Sequence, residues 1–485
     1  MVSNKKNVII AIMNRYSGFW LSIAKLLSSD YNVILVTKDH VAKEAFINIS
    51  DLEIELKNDF FLENTMDNLD IIKEVCAREK KYSKTFSMIM SLDRGLGKGY
   101  LFNADRHPNI FKSWWSHEKK LKHVLKDFLF WEYIVEKYTP VIILSHNNIK
   151  VLSPIARYYE IRYLSMLKAS YANRYMWVEN EYRQNKELIQ KVKDNVRNFT
   201  NSEDFTTIDD VVYIQDSPSK HVLSQFSPGF LDAFKKAAYF FLFDLYRVIR
   251  KTYSKESYSP WAWIPSQLRK PLMYKYFKRY GKKNDGLDKK YRIVYFSFHQ
   301  EPEAALGAST PEFNNSSEII AWVSKSLMAD TLIVVKEHKF NFGIRSKHFY
   351  DTLRKINNVV LAHPEISSWD WIKISDMVVV LGGTVGIEAV YFDKPVLCYS
   401  KYHAIKGLPT VRYVNSFDST NEAIKELLSI PPNDIRFRIS KESLYRAQMD
   451  ATFEIPGLEK VYKSREFHMD LAKLAIECLG KEYNL

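Results

Sequence analysis

Residues 377–399 read MVVVLGGTVGIEAVYFDKPVLCY. The first five are an uninterrupted apolar run of strand length, and they stop at Gly382-Gly383-Thr384-Val385-Gly386. A helix is expected from Ile387 and a second apolar strand at 395–399. Strands this apolar on both faces belong to a parallel sheet covered on both sides. Strand, glycine turn, helix and strand make one βαβ unit.

The same alternation runs upstream. Residues 292–298 (RIVYFSF) predict a strand, 312–328 a helix, 331–335 (TLIVV) a strand, 346–356 a helix, 359–362 a short strand and 368–374 a helix. The N-terminus repeats it: a strand at 7–13 (NVIIAIM), a helix at 19–28, a strand at 33–37 (VILVT), mainly helix over 60–135, and a strand at 141–144 (VIIL) with a helix through 155–159. Between the two series the rhythm is broken by a charged helix at 186–198, a polar stretch at 200–230 and an aromatic-rich helix at 233–251. Pro260, Pro265 and Pro271 are expected to prevent one long helix there, and 281–286 (GKKNDG) reads as a linker. The tail is helical at 421–429, 441–449 and 467–479. The expected fold class is α/β with two Rossmann-like domains, a helical basic insertion and C-terminal helices. The domains fall at 1–185, 186–290, 291–430 and 431–485.

Composition agrees with a folded multidomain chain of 485 residues: 46% hydrophobic, 26% charged, 15 Gly and 16 Pro exclude collagen-like or largely disordered protein. Cys76, Cys398 and Cys478 stand far apart, so neither a disulfide framework nor a paired-cysteine metal site is expected. No signal-peptide core or spanning segment is read, which gives a cytoplasmic expectation, peripheral on the inner face of the membrane. The net charge is +13, and between Lys235 and Lys290 fifteen Lys and Arg face four acids, so one segment holds most of the excess. Its partner is expected to be an anionic membrane surface met through 235–290, by way of an interfacial helix with basic flanks. Nucleic acid is not expected, because no recognition motif accompanies the charge.

Candidate chemistry collects at strand ends, where open α/β sheets bind ligands. After RIVYFSF come His299, Gln300, Glu301 and Glu303; after TLIVV come Lys336 and His338. After MVVVL, backbone groups at Gly383, Thr384 and Gly386 are placed for an anion at a helix N-terminus, with Thr384 able to cap that helix and Glu388 in its first turn. In the first domain Asn14, Arg15, Ser17 and Gly18 follow strand one, and His146 with Asn147 follows VIIL. Arg157, Arg174 and the His363-Pro364 pair are weaker candidates.

The second domain resembles the bacterial capsule and surface-polysaccharide biosynthesis proteins of GT-B glycosyltransferase type. The likeness is carried, in order, by VYFSFHQEPE (294–303), VVKEH (334–338), FYDTLRKINNVVL (349–361) and LGGTVGIEAVYFDKPVL (381–397), and it covers about residues 291–400. Lys339 stands where the family usually has proline, and the family's GTAG is Gly383-Thr384-Val385-Gly386.

The resemblance implies a metal-independent glycosyltransferase, without a cofactor, acting on a nucleotide sugar such as CMP-Kdo or another CMP or UDP sugar. The acceptor it implies is a surface polysaccharide or lipid-linked glycan, on the side of the first domain. His299 or Glu301 is the preferred base, with His146 as the first-domain alternative. Gln300, Glu303, Lys336, His338, Gly383, Thr384, Gly386 and Glu388 are the expected donor-binding residues. The competing readings are a teichoic-acid-type glycerophosphotransferase, a UDP-sugar 2-epimerase and a non-catalytic nucleotide- or glycan-binding assembly component.

Overall fold

The computed structural model describes residues 5–12, 17–38, 52–63, 66–67, 69–93, 96, 115–146, 149–169, 174–201, 229–249, 260–299, 310–313, 315–338, 341–458 and 466–483. The chain divides into two compact units, one of residues 1–90, 116–191 and 447–485 and one of residues 91–115 and 192–446. The candidates Asn14, Arg15, Asn147, Gln300, Glu301 and Glu303, and most of the polar stretch at 200–230, lie outside the described residues.

The first unit opens as expected. β1 (Asn7–Ala11), α1 (Ser17–Leu27) and β2 (Asn32–Thr37) form a parallel βαβ unit, because both apolar runs are buried on both faces. The chain continues through β3 (Glu53–Leu56), α2 (Lys57–Glu63), α3 (Ile71–Tyr82), α4 (Phe86–Ser91) and α5 (His117–Tyr138). It then adds β4 (Ile142–Ser145), α6 (Leu152–Tyr158), β5 (Arg162–Lys168), β6 (Arg174–Val178) and α7 (Lys186–Asn201). The sequence gives no expectation of β3, β5 or β6. Glu53-Ile54-Glu55-Leu56 alternates as an edge strand does, a polar or basic residue at every third place interrupts β5, and β6 is a run of only five residues.

The second unit carries a helical pair, α8 (Phe230–Ile249) and α9 (Pro260–Tyr280), before its sheet. The prolines do not break α9 as expected. Pro260 occupies its first position, where no backbone donor is needed, while Pro265 and Pro271 lie inside it. Each interior proline costs a ladder bond. Packing compensates, since Met273, Tyr276 and Phe277 are buried in the core beneath the sheet. Nor is 281–286 a free linker: Lys282 N–H donates to the Leu361 carbonyl and His363 N–H to the Lys282 carbonyl, both at 2.8 Å.

The sheet follows: β7 (Arg292–Ser297), α10 (Ser316–Ser326), β8 (Thr331–Lys336), α11 (Lys347–Arg354), β9 (Val359–Leu361), α12 (Ser368–Ile374), β10 (Met377–Val380), α13 (Thr384–Tyr391), β11 (Val396–Cys398) and β12 (Val411–Tyr413). After them come α14 (Phe417–Leu428) and α15 (Ile435–Ala451). All six strands are parallel, in the order β9-β8-β7-β10-β11-β12. That is the doubly wound arrangement, whose order reverses between its first and fourth strands, here β7 and β10.

The chain then returns to the first unit. β13 (Phe453–Glu454) pairs antiparallel with β6, and α16 (Met469–Tyr483) packs on the first sheet's core with Trp20, Trp177 and Phe453. The first sheet runs β13-β6-β5-β4-β1-β2-β3, with β5 to β3 parallel. The C-terminal helices, expected as a separate segment from 431, are therefore divided between the units. Two Rossmann-like α/β units are what the paired βαβ series predicts.

Candidate functional site

In a doubly wound sheet the ligand crevice opens at the carboxyl ends of the strands flanking the order reversal. In the second unit those ends carry His299, two residues past β7, and Gly382-Gly383, just past β10. They meet. A Cβ on Gly383 would lie 2.9 Å from His299 Cε1, and Gly383 has φ of +116°, which side-chain-bearing residues rarely adopt. Gly382, with φ of +146°, completes the turn. Gly383 is the residue at which α13 begins, and no side chain caps it. Thr384 is thus the first helical residue rather than the cap, and among the described residues no capping side chain accepts from the helix's leading amides. That is the electrostatic arrangement that suits an anion.

The glycine loop's second half does something else. Gly386 faces inward, where a Cβ would come within 2.8 Å of Ile405 Cδ1 and 3.2 Å of Val380 Cγ2, so its small size lets α13 close onto the sheet. Glu388 lies one turn beyond Thr384, in the helix's second turn. Burial pushes its carboxyl up to about 7 against hydrogen bonds from Trp369 and Thr384. At neutral pH it is a group able either to donate or to accept toward a hydroxyl.

His299 is held from behind. Asn341 Nδ2 donates to its carbonyl at 2.6 Å and Arg345 Nη2 at 3.4 Å. Burial, with His338, Arg345 and His403 close by, pushes the imidazole down to about 3, so it is neutral in this state. Its Nε2 is buried and has no hydrogen-bond partner among the described residues. A base works best with a pKa near the working pH, and at about 3 this imidazole suits hydrogen bonding better than proton abstraction.

The Lys336-Glu337-His338 strand end splits across the sheet, because successive side chains point to opposite faces. Glu337 turns into the core and takes a two-pronged ion pair from Arg345 Nη1 at 2.6 and 2.7 Å; both side chains are essentially sealed from solvent. Tyr350 Oη donates to the same carboxylate, and the Arg345 guanidinium sits 4.6 Å over the Phe298 ring. Lys336 turns the other way, its Nζ 3.5 Å from the Pro364 carbonyl, and burial lowers its pKa to about 8. His338 is half-buried, and its N–H donates to Glu337 Oε1 at 2.6 Å.

His403 was not among the sequence candidates. It follows β11, the neighbour of β10, and its Nδ1 accepts from the Ile405 N–H at 3.3 Å. The remaining nitrogen then carries the proton and donates to the Gly383 carbonyl at 3.0 Å, fixing the turn from the outside. The signal was present in Lys401-Tyr402-His403 after the PVLCY strand, but it is readable only once β11 is known to lie beside β10. Among the described residues no three His, Cys, Asp or Glu side chains are placed to hold a metal ion.

No protein-family model matches the sequence, and no curated protein matches it either. Solved structures similar to the chain include UDP-GlcNAc 2-epimerase of Methanocaldococcus jannaschii in complex with UDP-GlcNAc and UDP, at 11% identity and a TM-score of 0.28, with 91% of this chain and 99% of that chain covered. The β-Kdo 2,4-transferase KpsC of Thermosulfurimonas dismutans is similar at 10% identity and a TM-score of 0.30, over 62% of this chain and 79% of that chain. The spinosyn rhamnosyltransferase SpnG complexed with thymidine diphosphate gives 9% identity and a TM-score of 0.27, over 92% and 96% of the two chains. At these TM-scores they say nothing of this chain's chemistry, and the site rests on its own residues.

In the first unit the corresponding reversal lies between β1 and β4. His146, directly after β4, packs edge-on to Trp20 of α1 at 6.3 Å. Gly18 lies in the first turn of α1, its carbonyl accepting from Ser22 Oγ at 2.8 Å. The weaker arginine candidates have internal work: Arg157 pairs with buried Glu181 at 3.2 Å, and Arg174 Nε donates to Thr452 Oγ1 at 2.6 Å, tying β6 to the returning chain. His363 is buried, its Nδ1 accepting from the Glu365 N–H at 3.4 Å.

Proposed function

We propose that the second unit binds a nucleotide sugar at the carboxyl ends of β7 and β10, and that the protein transfers its sugar to a surface-polysaccharide or lipid-linked glycan acceptor. The observation that carries the reading is the contact between the Gly382-Gly383 turn, with its uncapped helix behind it, and the unpartnered Nε2 of neutral His299. A diphosphate placed there receives the leading amides of α13 and a hydrogen bond from His299. These groups stabilise the charge that develops on the departing nucleotide. Glu388, one turn further, is within the same helix for sugar or ribose hydroxyls. The motif order through residues 294–397 supports a sugar transferase over a general nucleotide binder.

In the transfer the acceptor hydroxyl oxygen attacks the anomeric carbon, the bond from that carbon to the donor phosphate breaks, and the nucleotide leaves with the electron pair. The hydroxyl proton goes to a base. Glu301 is the candidate for it, while His299 serves to position the phosphate. Lys336 and His338 are assigned to holding the loops around the donor, with Gln300 and Glu303 as further donor contacts.

The test is calorimetric titration of the purified protein with CMP, UDP, GDP and dTDP, repeated with His299→Ala. One nucleotide should bind, and loss of the imidazole's hydrogen bond to a charged phosphate should weaken it about tenfold or more. Failure of every nucleotide to bind, or unchanged binding in the variant, refutes the assignment.

A further inference from the structure

On α8 apolar side chains stand in solvent. Among the described residues, nine of the twenty exposed large hydrophobic side chains belong to this one helix. Leu231, Phe234, Leu242, Leu245 and Ile249 fall within one narrow stripe at about 3.6 residues per turn, and they are 45% to 77% exposed. The helix is held from the opposite side: Ala233 and Ala237 are buried, and α8 packs on α9.

We infer that this stripe of α8 lies in the surface of an anionic lipid bilayer, parallel to it. Three observations select lipid over other occupants. The segment from Lys235 to Lys290 has fifteen cations against four acids, which complements anionic headgroups. A second copy would bring the same charge excess against itself across a two-fold interface, which opposes self-association. Lys270 of α9 is pushed down to about 8, first by burial and then by Lys236 of α8, so cations of the two helices stand close to one another. The helix has 20 residues, about 30 Å, and no described helix is long and apolar enough to cross a membrane, so the geometry is that of a helix lying in the interface. This inference rests on α8 and the charge around it and does not depend on the reading of the nucleotide site.

The full-length protein is to be floated with vesicles of one part phosphatidylglycerol to two parts phosphatidylcholine, and with phosphatidylcholine alone. Wild type should float with the anionic vesicles and much less with the neutral ones. The triple variant Leu231→Ser, Leu242→Ser, Ile249→Ser should lose about a thousandfold in partitioning, since each side chain withdrawn from the interface forfeits about a factor of ten. Lys235→Gln with Lys236→Gln should lose about tenfold on anionic vesicles and nothing on neutral ones. Thermal melting checks folding, and these exposed positions should leave it unchanged. Absence of flotation by wild type overturns the inference, as does equal flotation of the triple variant. A self-associated species in light scattering that the triple variant abolishes, without vesicle binding, gives the face to a second copy and overturns it too.

Discussion

Replacing Gly383 by alanine places a methyl group where two costs meet. At φ of +116° and ψ of −177° the backbone is in a region nearly closed to side-chain-bearing residues, worth about 1–3 kcal/mol. The added Cβ would also stand 2.9 Å from His299 Cε1 and 3.3 Å from its Nδ1. His299 cannot swing away cheaply, because Asn341 and Arg345 hold its carbonyl and the ring is packed among its neighbours. Forcing such a core contact apart costs about a further 1–3 kcal/mol. Only the second cost depends on the imidazole. In a His299→Ala background, Gly383→Ala should therefore cost about 1–3 kcal/mol less than in wild type, a coupling readable in a double-mutant cycle. Denaturant unfolding gives the four stabilities, compared at constant slope so that midpoint shifts report free energy. An equal cost in both backgrounds would refute the contact across the switch point, and with it the site's geometry.

Arg345→Met should be among the most damaging substitutions in the second unit, costing about 3–5 kcal/mol, because it strands the Glu337 carboxylate in a sealed environment. Adding Glu337→Gln to it should recover much of that loss in denaturant unfolding, whereas Glu337 acting on a ligand predicts no recovery. The raised pKa of Glu388 makes stability depend on pH with a definite sign. Its folded value, about 7, exceeds the ordinary 4.5, so the native state binds the extra proton and the contribution is complete below pH 4.5. It is lost as pH rises from there to about 7, and Glu388→Gln should flatten the wild-type decline over that window. An identical slope in the variant would assign the decline to other groups.

The βαβ alternation was readable because its strands are buried on both faces and so lose the polar interruptions that blur helices and edges. MVVVL, TLIVV and NVIIAIM became β10, β8 and β1 within a residue or two at most ends. Glu53-Ile54-Glu55-Leu56 escaped because an edge strand of a sheet reads like any amphipathic fragment. The strand ends were the right places to look, yet side-chain direction was not legible from spacing. Lys336 and Glu337 are adjacent in sequence, and the pleat sends one to the Pro364 loop and the other into the core with Arg345. Likewise Gly383 and Gly386 look equivalent as letters. Their φ angles and neighbours separate a turn glycine that meets His299 from a packing glycine that meets Ile405.

The two surfaces of the second unit share one mechanical base. Met273, Tyr276 and Phe277 of α9 are buried in the same cluster as Val294, Phe296 and Phe298, the strand that delivers His299. The end of α9 is also tied to β9 through the Lys282 hydrogen bonds. A helix pair so anchored cannot be removed without opening the core beneath the candidate site. Loss of activity on deleting 229–290 would therefore say nothing about lipid. Substitutions confined to the exposed stripe of α8 separate the two roles, because Leu231, Leu242 and Ile249 contribute little to that core. If they abolish vesicle binding while nucleotide titration is unchanged, the exposed stripe of α8 orients a site that it does not help to build.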